Sequence, residues 1–243
     1  MTHVLTPSDT LRETTPSPSN FRFFRRLGMF VVAALVFTLA PVPGLLLTPP
    51  EAQHYSMFIT NLGVIAVLLS GLFVLQHRRN LAATFYGKRI RQPLRLGAIS
   101  VIALYALCGL AVIVMNQPRE AFMADLFSGL TQGQTLIKLG ALIILPPIAE
   151  ELMMRHYLLR LFPYERSVVW KWVAIIVTSA LFTSLHTQYG SSITLALIFV
   201  IGCLFAWARI ASGGLLVPIL LHMLAEVLGS SLDWTWAWAG FYG

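Results

Sequence analysis

Charge is scarce in this sequence. Of its 243 residues only 11% are Asp, Glu, Lys or Arg, against roughly 25% in ordinary soluble domains. So few ionised groups could not cover the surface of a soluble globule, and a water-soluble fold is excluded. Cysteine is equally sparse. Cys108 and Cys203 lie inside apolar runs, without the spacing of a metal pair or a disulfide framework, and they read as small core residues. Hydrocarbon takes the place of charge. Hydrophobic residues make up 57% of the chain, and the mean hydropathy is +0.74. They fall in blocks of the length that a bilayer core about 30 Å thick requires.

A net charge of +7 in a polar chain would point to nucleic acid. Here the basic residues flank the apolar blocks. Arg22, Arg25 and Arg26 precede the first, and Arg78, Arg79, Lys88, Arg89, Arg91 and Arg95 separate the second from the third. That placement suits cytoplasmic loops and anionic headgroups, so the bilayer is the expected partner and nucleic acid is not. Residues 1–20 are rich in Thr, Ser and Pro and lack apolar periodicity, which predicts a disordered tail. The expected organisation is that tail followed by a transmembrane helical domain over 21–243.

Seven apolar blocks follow: Leu27–Leu47, Tyr55–Gln76, Leu96–Met115, about Leu136–Leu159, about Trp172–Tyr189, Ile193–Ala208 and Leu215–Gly229. They predict an all-α, polytopic bundle of about seven or eight spans. Pro41 and Pro43 are expected to break the outer end of the first. Pro218 is expected to kink the seventh near His222, and Gly213-Gly214 to turn the chain before it. The closing aromatics Trp234, Trp236, Trp238, Phe241 and Tyr242 suit the headgroup interface or a partial eighth helix. Basic loops alternate with less basic ones, placing the N-terminus and the 77–95 loop on the cytoplasmic side of the plasma membrane. Arg160, Arg166 and Lys171 return to that side, as does Arg209 between the sixth and seventh spans. His3, His54 and His77 fall in the tail or loops and are given no role, and His156 is expected at the interface. Met153 and Met154 read as packing residues.

An ionised group at mid-span costs roughly 3 kcal/mol on insertion scales. The first three blocks hold none in their interiors. The second half holds Glu150, Glu151 and Arg155 in the fourth block, His186 in the fifth, and His222 and Glu226 in the seventh. Glu151 and Arg155 are four apart and can pair on one helix face. Glu150 is turned about 100° away and needs a partner on another helix. Pro146 and Pro147, just before it, are expected to loosen the helix and free carbonyls. His186 alone could be a structural hydrogen bond. His222 and Glu226, four apart, could be a hydrogen bond, a proton relay or a metal site. Counted at 1.5 Å per residue from the basic face, Glu150, His186 and His222 lie roughly 15, 21 and 15 Å deep, so three helices can bring them together. Starting the fifth span at Val168 would move His186 about 6 Å further out. A carboxylate beside an imidazole in a low-dielectric cavity can activate water. Two histidines and a carboxylate can instead hold Zn²⁺ and a water.

With these residues in view, the sequence resembles the CPBP intramembrane protease family, which includes the type II CAAX prenyl endopeptidases and bacterial bacteriocin-processing (Abi-like) or immunity relatives. Glu150-Glu151-x-x-x-Arg155 matches its EExxxR motif and Phe182-x-x-x-His186 its FxxxH. His222-x-x-x-Glu226 occupies its HxxxN or HxxxD. The resemblance covers about residues 136–229. It implies an intramembrane endopeptidase acting on a peptide or protein substrate. Glu150 and His186 would activate water, His222 and position 226 would stabilise the oxyanion, and Glu151 and Arg155 would hold the first helix in place. Both a metalloprotease, with zinc on Glu150, His186, His222 and Glu226, and a metal-free glutamate mechanism are consistent with it. Glu226 departs from the pattern, because an ionised Glu donates no hydrogen bond. It would have to be protonated, to orient His222, or to ligate a metal. Otherwise the chain would be a non-proteolytic scaffold or immunity-type protein. A proton-coupled carrier is a further alternative for buried Glu and His, but it would be expected to show inverted repeats, and the sequence shows none.

Overall fold

The computed structural model describes residues 21–242, so the expected disordered tail at 1–20 lies outside the described residues. Among the described residues the chain is helical and has no strand. Seven principal helices occupy the seven apolar blocks: α1 Phe23–Leu39, α2 Phe58–His77, α3 Arg91–Val114, α4 Gln132–Glu151, α5 Val168–Ser184, α6 Ser192–Ser212 and α7 Leu216–Ala239. The α1, α2, α3, α6 and α7 regions are long and apolar enough to cross a membrane by their own composition. Helix α4 carries charge. Helix α5 has 17 residues, about 26 Å of helix, slightly short of a ~30 Å core. The chain is an integral membrane protein built as a helical bundle.

Local sequence sets the helix ends. Helix α1 stops at Leu39, before Pro41, and a short helix Val42–Leu47 begins with Pro41 as its N-cap. Thr131 caps α4, its hydroxyl accepting from Gln134 N while the Gln134 side chain accepts from Thr131 N. Ser167 and Ser191 cap α5 and α6 with their hydroxyls, which accept from Trp170 N and Ile193 N. Four expectations are corrected here. Helix α4 runs through Pro146 and Pro147 and then widens into a π-helix over Leu152–Leu158, so the irregularity follows the acidic pair. Pro218 sits in the first turn of α7, where its missing N–H breaks no hydrogen bond and forces no kink. The closing tryptophans continue α7 to Ala239 and form no eighth helix. Arg209 lies within α6 and is buried.

Contacts at the helix ends fix the alternation of the chain. At one end Arg26 donates to the carbonyl of Arg160, the side chains of His77 and Arg160 meet, and Lys88 N and Arg89 N donate to Ser212 O. That last contact needs glycine: Gly87 and Gly213 both have φ of +75°, and a Cβ on Gly214 would run into the backbone of Phe85, Tyr86 and Gly87. At the other end Lys138 Nζ donates to His54 O at 2.8 Å and Leu126 O at 2.6 Å. Nearby, Glu120 accepts from Gly190 N, Ser191 N and Thr194 Oγ1. Arg119 there grips the Asp233 carboxylate with two nitrogens, which raises the Arg119 pKa. Most of the basic residues therefore gather at the first of these ends, with Arg119 and Lys138 at the other.

The core runs along α4 and its π-helical continuation. Ala149, Leu152, Met153 and Tyr157 pack against Ala33 of α1, against Leu69 and Phe73 of α2, and against Ile219 of α7. Every residue from Glu151 to Leu159 is buried, Met153 and Met154 included. Large apolar side chains on the outer faces, such as Leu75, Val67, Ile99 and Val169, are exposed. In a bilayer they meet lipid without cost.

Candidate active site

Glu150 lies one residue before the end of α4 and His222 in the second turn of α7, while His186 lies past the end of α5. Helix α5 starts at Val168 and ends at Ser184, the start that was expected to move His186 outward. The turn that follows carries His186 back to Glu150. The last carbonyls of a helix lack intrahelical partners, and His186 Nδ1 donates to one of them, Phe182 O, at 2.7 Å. A carbonyl only accepts, so Nδ1 carries the proton and Nε2 is the nitrogen left facing the site.

That Nε2 is 3.8 Å from Oε2 of Glu150. The same carboxylate oxygen is 3.9 Å from Nε2 of His222, and it is buried with no hydrogen-bond partner. Glu226 Oε1 stands 3.6 Å from Nε2 of His222. These separations are too long for direct hydrogen bonds, and one water can touch both partners across such a gap. Glu150, His186, His222 and Glu226 are therefore brought together from three elements.

Glu151 behaves differently. It is fully buried, and its Oε1 accepts from Nδ1 of His222 at 3.1 Å. It thus fixes the orientation of His222, the part that Glu226 was a candidate to play. Arg155 is also fully buried, its Nε 3.4 Å from Oε2 of Glu151. That contact joins two charges without hydrogen-bond geometry. The guanidinium is held mainly by other groups. Nη2 donates to Gly202 O on α6 at 3.1 Å, and its carbon lies 4.9 Å from the ring centroid of Phe182 and 5.8 Å from that of Phe205, within cation–π range.

Phe182 joins all three motifs. Besides Arg155 it touches His186, with centroids 4.5 Å apart, and meets His222 edge-on at 5.8 Å. Phe205 stacks on His222 at 4.9 Å and Tyr189 on His186 at 6.4 Å. Sequence reasoning gave none of these aromatics a role. Phe182 had a signal, four residues before His186. Phe205 and Gly202 had none, because α6 carries no ionisable residue near the site. A Cβ on Gly202 would lie 3.2 Å from Ser179 Cβ, so this glycine permits the close approach of α5 and α6.

His186, His222 and Glu226 open onto a cavity of about 170 Å³, walled on its apolar side by Tyr105, Cys108, Val112, Leu197 and Ile201. Imidazole and carboxylate are donor types that zinc accepts. Among the described residues, however, no group of three or more His, Cys, Asp or Glu is arranged to hold a metal ion. The residues as placed do not fit a metal.

A buried acid–imidazole cluster inside a transmembrane helical bundle defines the class, an integral membrane protein with a polar centre between α4, α5 and α7. Residues 132–228 match the family described as type II CAAX prenyl endopeptidase Rce1-like, so that segment, which holds the polar centre, is similar to that family. The chain is also similar to an Escherichia coli protein described as "Uncharacterized 24.3 kDa protein". The two are 36% identical over 143 residues, which cover 58% of this chain and 64% of the relative. The chain therefore spans somewhat less than two thirds of that relative's length. No solved structure matches.

Proposed function

We propose that the protein is an intramembrane endopeptidase of the CAAX type, in which Glu150 and His186 activate water for attack on a peptide bond. The observation that carries the reading is the 3.8 Å gap between Glu150 Oε2 and His186 Nε2, at a cavity with apolar walls. A water in that gap gives one proton to the carboxylate and hydrogen-bonds to Nε2. Glu150 then returns the proton to the departing amine. His222 is held through Nδ1 by Glu151, and in its doubly protonated form it donates from Nε2 to the oxyanion. Glu151 and Arg155 position these groups from behind the cavity, and Phe182 does so from its wall. The apolar wall suits a substrate whose scissile bond adjoins a hydrophobic segment. The basic end of the bundle faces the cytoplasm.

Glu226 favours a second reading. A carboxylate that opens onto the cavity beside His222 accepts hydrogen bonds where an oxyanion needs donors. In a scaffold or immunity-type protein of the same fold that costs nothing. One experiment separates the readings: metal analysis and peptide hydrolysis by purified protein in lipid nanodiscs, wild type against Glu150→Ala. The side-chain mechanism predicts hydrolysis without bound metal, lost in the variant. Hydrolysis that tracks zinc content replaces it with the metal route. A folded wild type with no hydrolysis of any membrane-anchored peptide supports the scaffold.

A further inference from the structure

At the basic end a second cavity of about 670 Å³ opens between the start of α1, the end of α2, the segment after α4, the start of α5 and the end of α6. Four cationic side chains line it: Arg26, Arg160, Lys171 and Arg209. The carboxylate on its wall is Glu165, which is exposed and forms no ion pair among the described residues.

The cations are not satisfied by one another. Arg209 is 6% exposed, and its Nε has no hydrogen-bond partner. Arg160 Nη1 faces the Nε2 atoms of His77 and His156 at 3.4 and 3.3 Å, and those two rings are themselves 3.3 Å apart, nitrogen to nitrogen. Arg26 spends one nitrogen on the carbonyl of Arg160. Burying like charges without an anion is costly, and the bundle concentrates them where a cavity could admit one. His77 and His156 were expected in a loop and at the interface. Both are buried instead, as the floor of this cluster.

We propose that this cavity is a binding site for a phosphate group, held by the guanidinium forks of Arg160 and Arg209 and by the Lys171 ammonium. Guanidinium matches phosphate bidentately, and the hydroxyls of Tyr164 and Ser167, also on the wall, are further donors. The site lies at the end of the bundle where lipid headgroups sit, and a basic pocket between helices there is suited to an anionic headgroup. Phosphatidylglycerol and free inorganic phosphate present the same chemistry. A bound phosphate would tie the segment after α4, the start of α5 and the end of α6 together at that end.

The test is thermal unfolding of the full-length protein in neutral detergent, in three series at constant ionic strength. One adds phosphatidylglycerol, one phosphatidylcholine and one sodium phosphate in place of chloride. The expected result is a saturable rise in melting temperature with phosphatidylglycerol and none with phosphatidylcholine, whose phosphodiester is the same but whose choline cation the four basic side chains repel. A saturable rise with inorganic phosphate alone would assign the site to the free anion. Arg209→Gln should melt at or above the wild type without anion, because an uncompensated buried charge is gone, and should lose the anion-dependent rise. Lys171→Ala, at a half-buried position, should fold normally and need more anion for the same rise. No anion-dependent rise, or an equal rise in both variants, overturns the proposal.

Discussion

Removing the Arg155 guanidinium should damage the protein through Glu151, and removing the Glu151 charge as well should repair much of the damage. Both side chains are fully buried and 3.4 Å apart. Arg155→Met keeps most of the stem and its packing. It loses the hydrogen bond to Gly202 O, about 1.5–3 kcal/mol for a charged donor, and cation–π contacts of up to about 2 kcal/mol when desolvated. It also breaks a buried charge pair, which costs up to about 3–5 kcal/mol, less here because Nδ1 of His222 still donates to Glu151. Glu151→Gln keeps an oxygen for Nδ1 of His222. In Glu151→Gln/Arg155→Met the charge imbalance disappears, and replacing a buried pair by neutral groups is often close to neutral. Equilibrium unfolding in mixed micelles by sodium dodecyl sulfate titration should show the double variant more stable than Arg155→Met alone. The coupling energy should fall in the range of about 0.5–3 kcal/mol found for residues in contact. Costs that add to within about 0.5 kcal/mol would mean that the two charges do not support each other, and the account of the buried pair would be wrong.

Other expectations concern the groups around that pair. Phe182→Leu should lower kcat by up to ~100-fold, the scale of a 1 Å misplacement, and by more than it raises KM, because the ring orients Arg155, His186 and His222 as well as lining the cavity; a change in KM alone would contradict that role. Glu226→Gln places a donor beside His222 and should raise kcat at neutral pH, an oxyanion donor being worth about 10²–10³-fold; a tenfold fall measured in the same assay would make the carboxylate itself essential. Gly214→Ala should cost at least about 1–3 kcal/mol of stability by overpacking, read as a lower unfolding midpoint; wild-type stability would mean that the turn does not dock on the loop after α2.

The bundle was legible because hydropathy and flanking charge act locally. Block positions followed from composition, and the motif residues fell where three helices converge. What escaped the sequence depended on which way a side chain turns at the end of a block. Lys138, His156 and Arg209 lie near block ends, where burial and exposure look alike in sequence. All three are buried, Lys138 because two backbone carbonyls receive its ammonium. The π-helix after Glu151 left no mark either, and Leu152–Leu158 is buried throughout. The closing tryptophans looked like a separate interfacial tail because aromatics of that density suit the headgroup region. Ser230 and Asp233 are buried, and the grip of Arg119 and Tyr242 on Asp233 holds that stretch helical.

The central claim is that one acid and one imidazole, 3.8 Å apart, share the activation of water. Its most direct test is the single-turnover cleavage rate of a membrane-anchored peptide by purified Glu150→Gln and His186→Ala, each verified as folded by its unfolding midpoint. The account predicts that each variant loses about 10²–10⁴-fold, the usual contribution of a general acid–base group, and that the double variant loses little more than the worse single. Cleavage at the wild-type rate in either variant would contradict it.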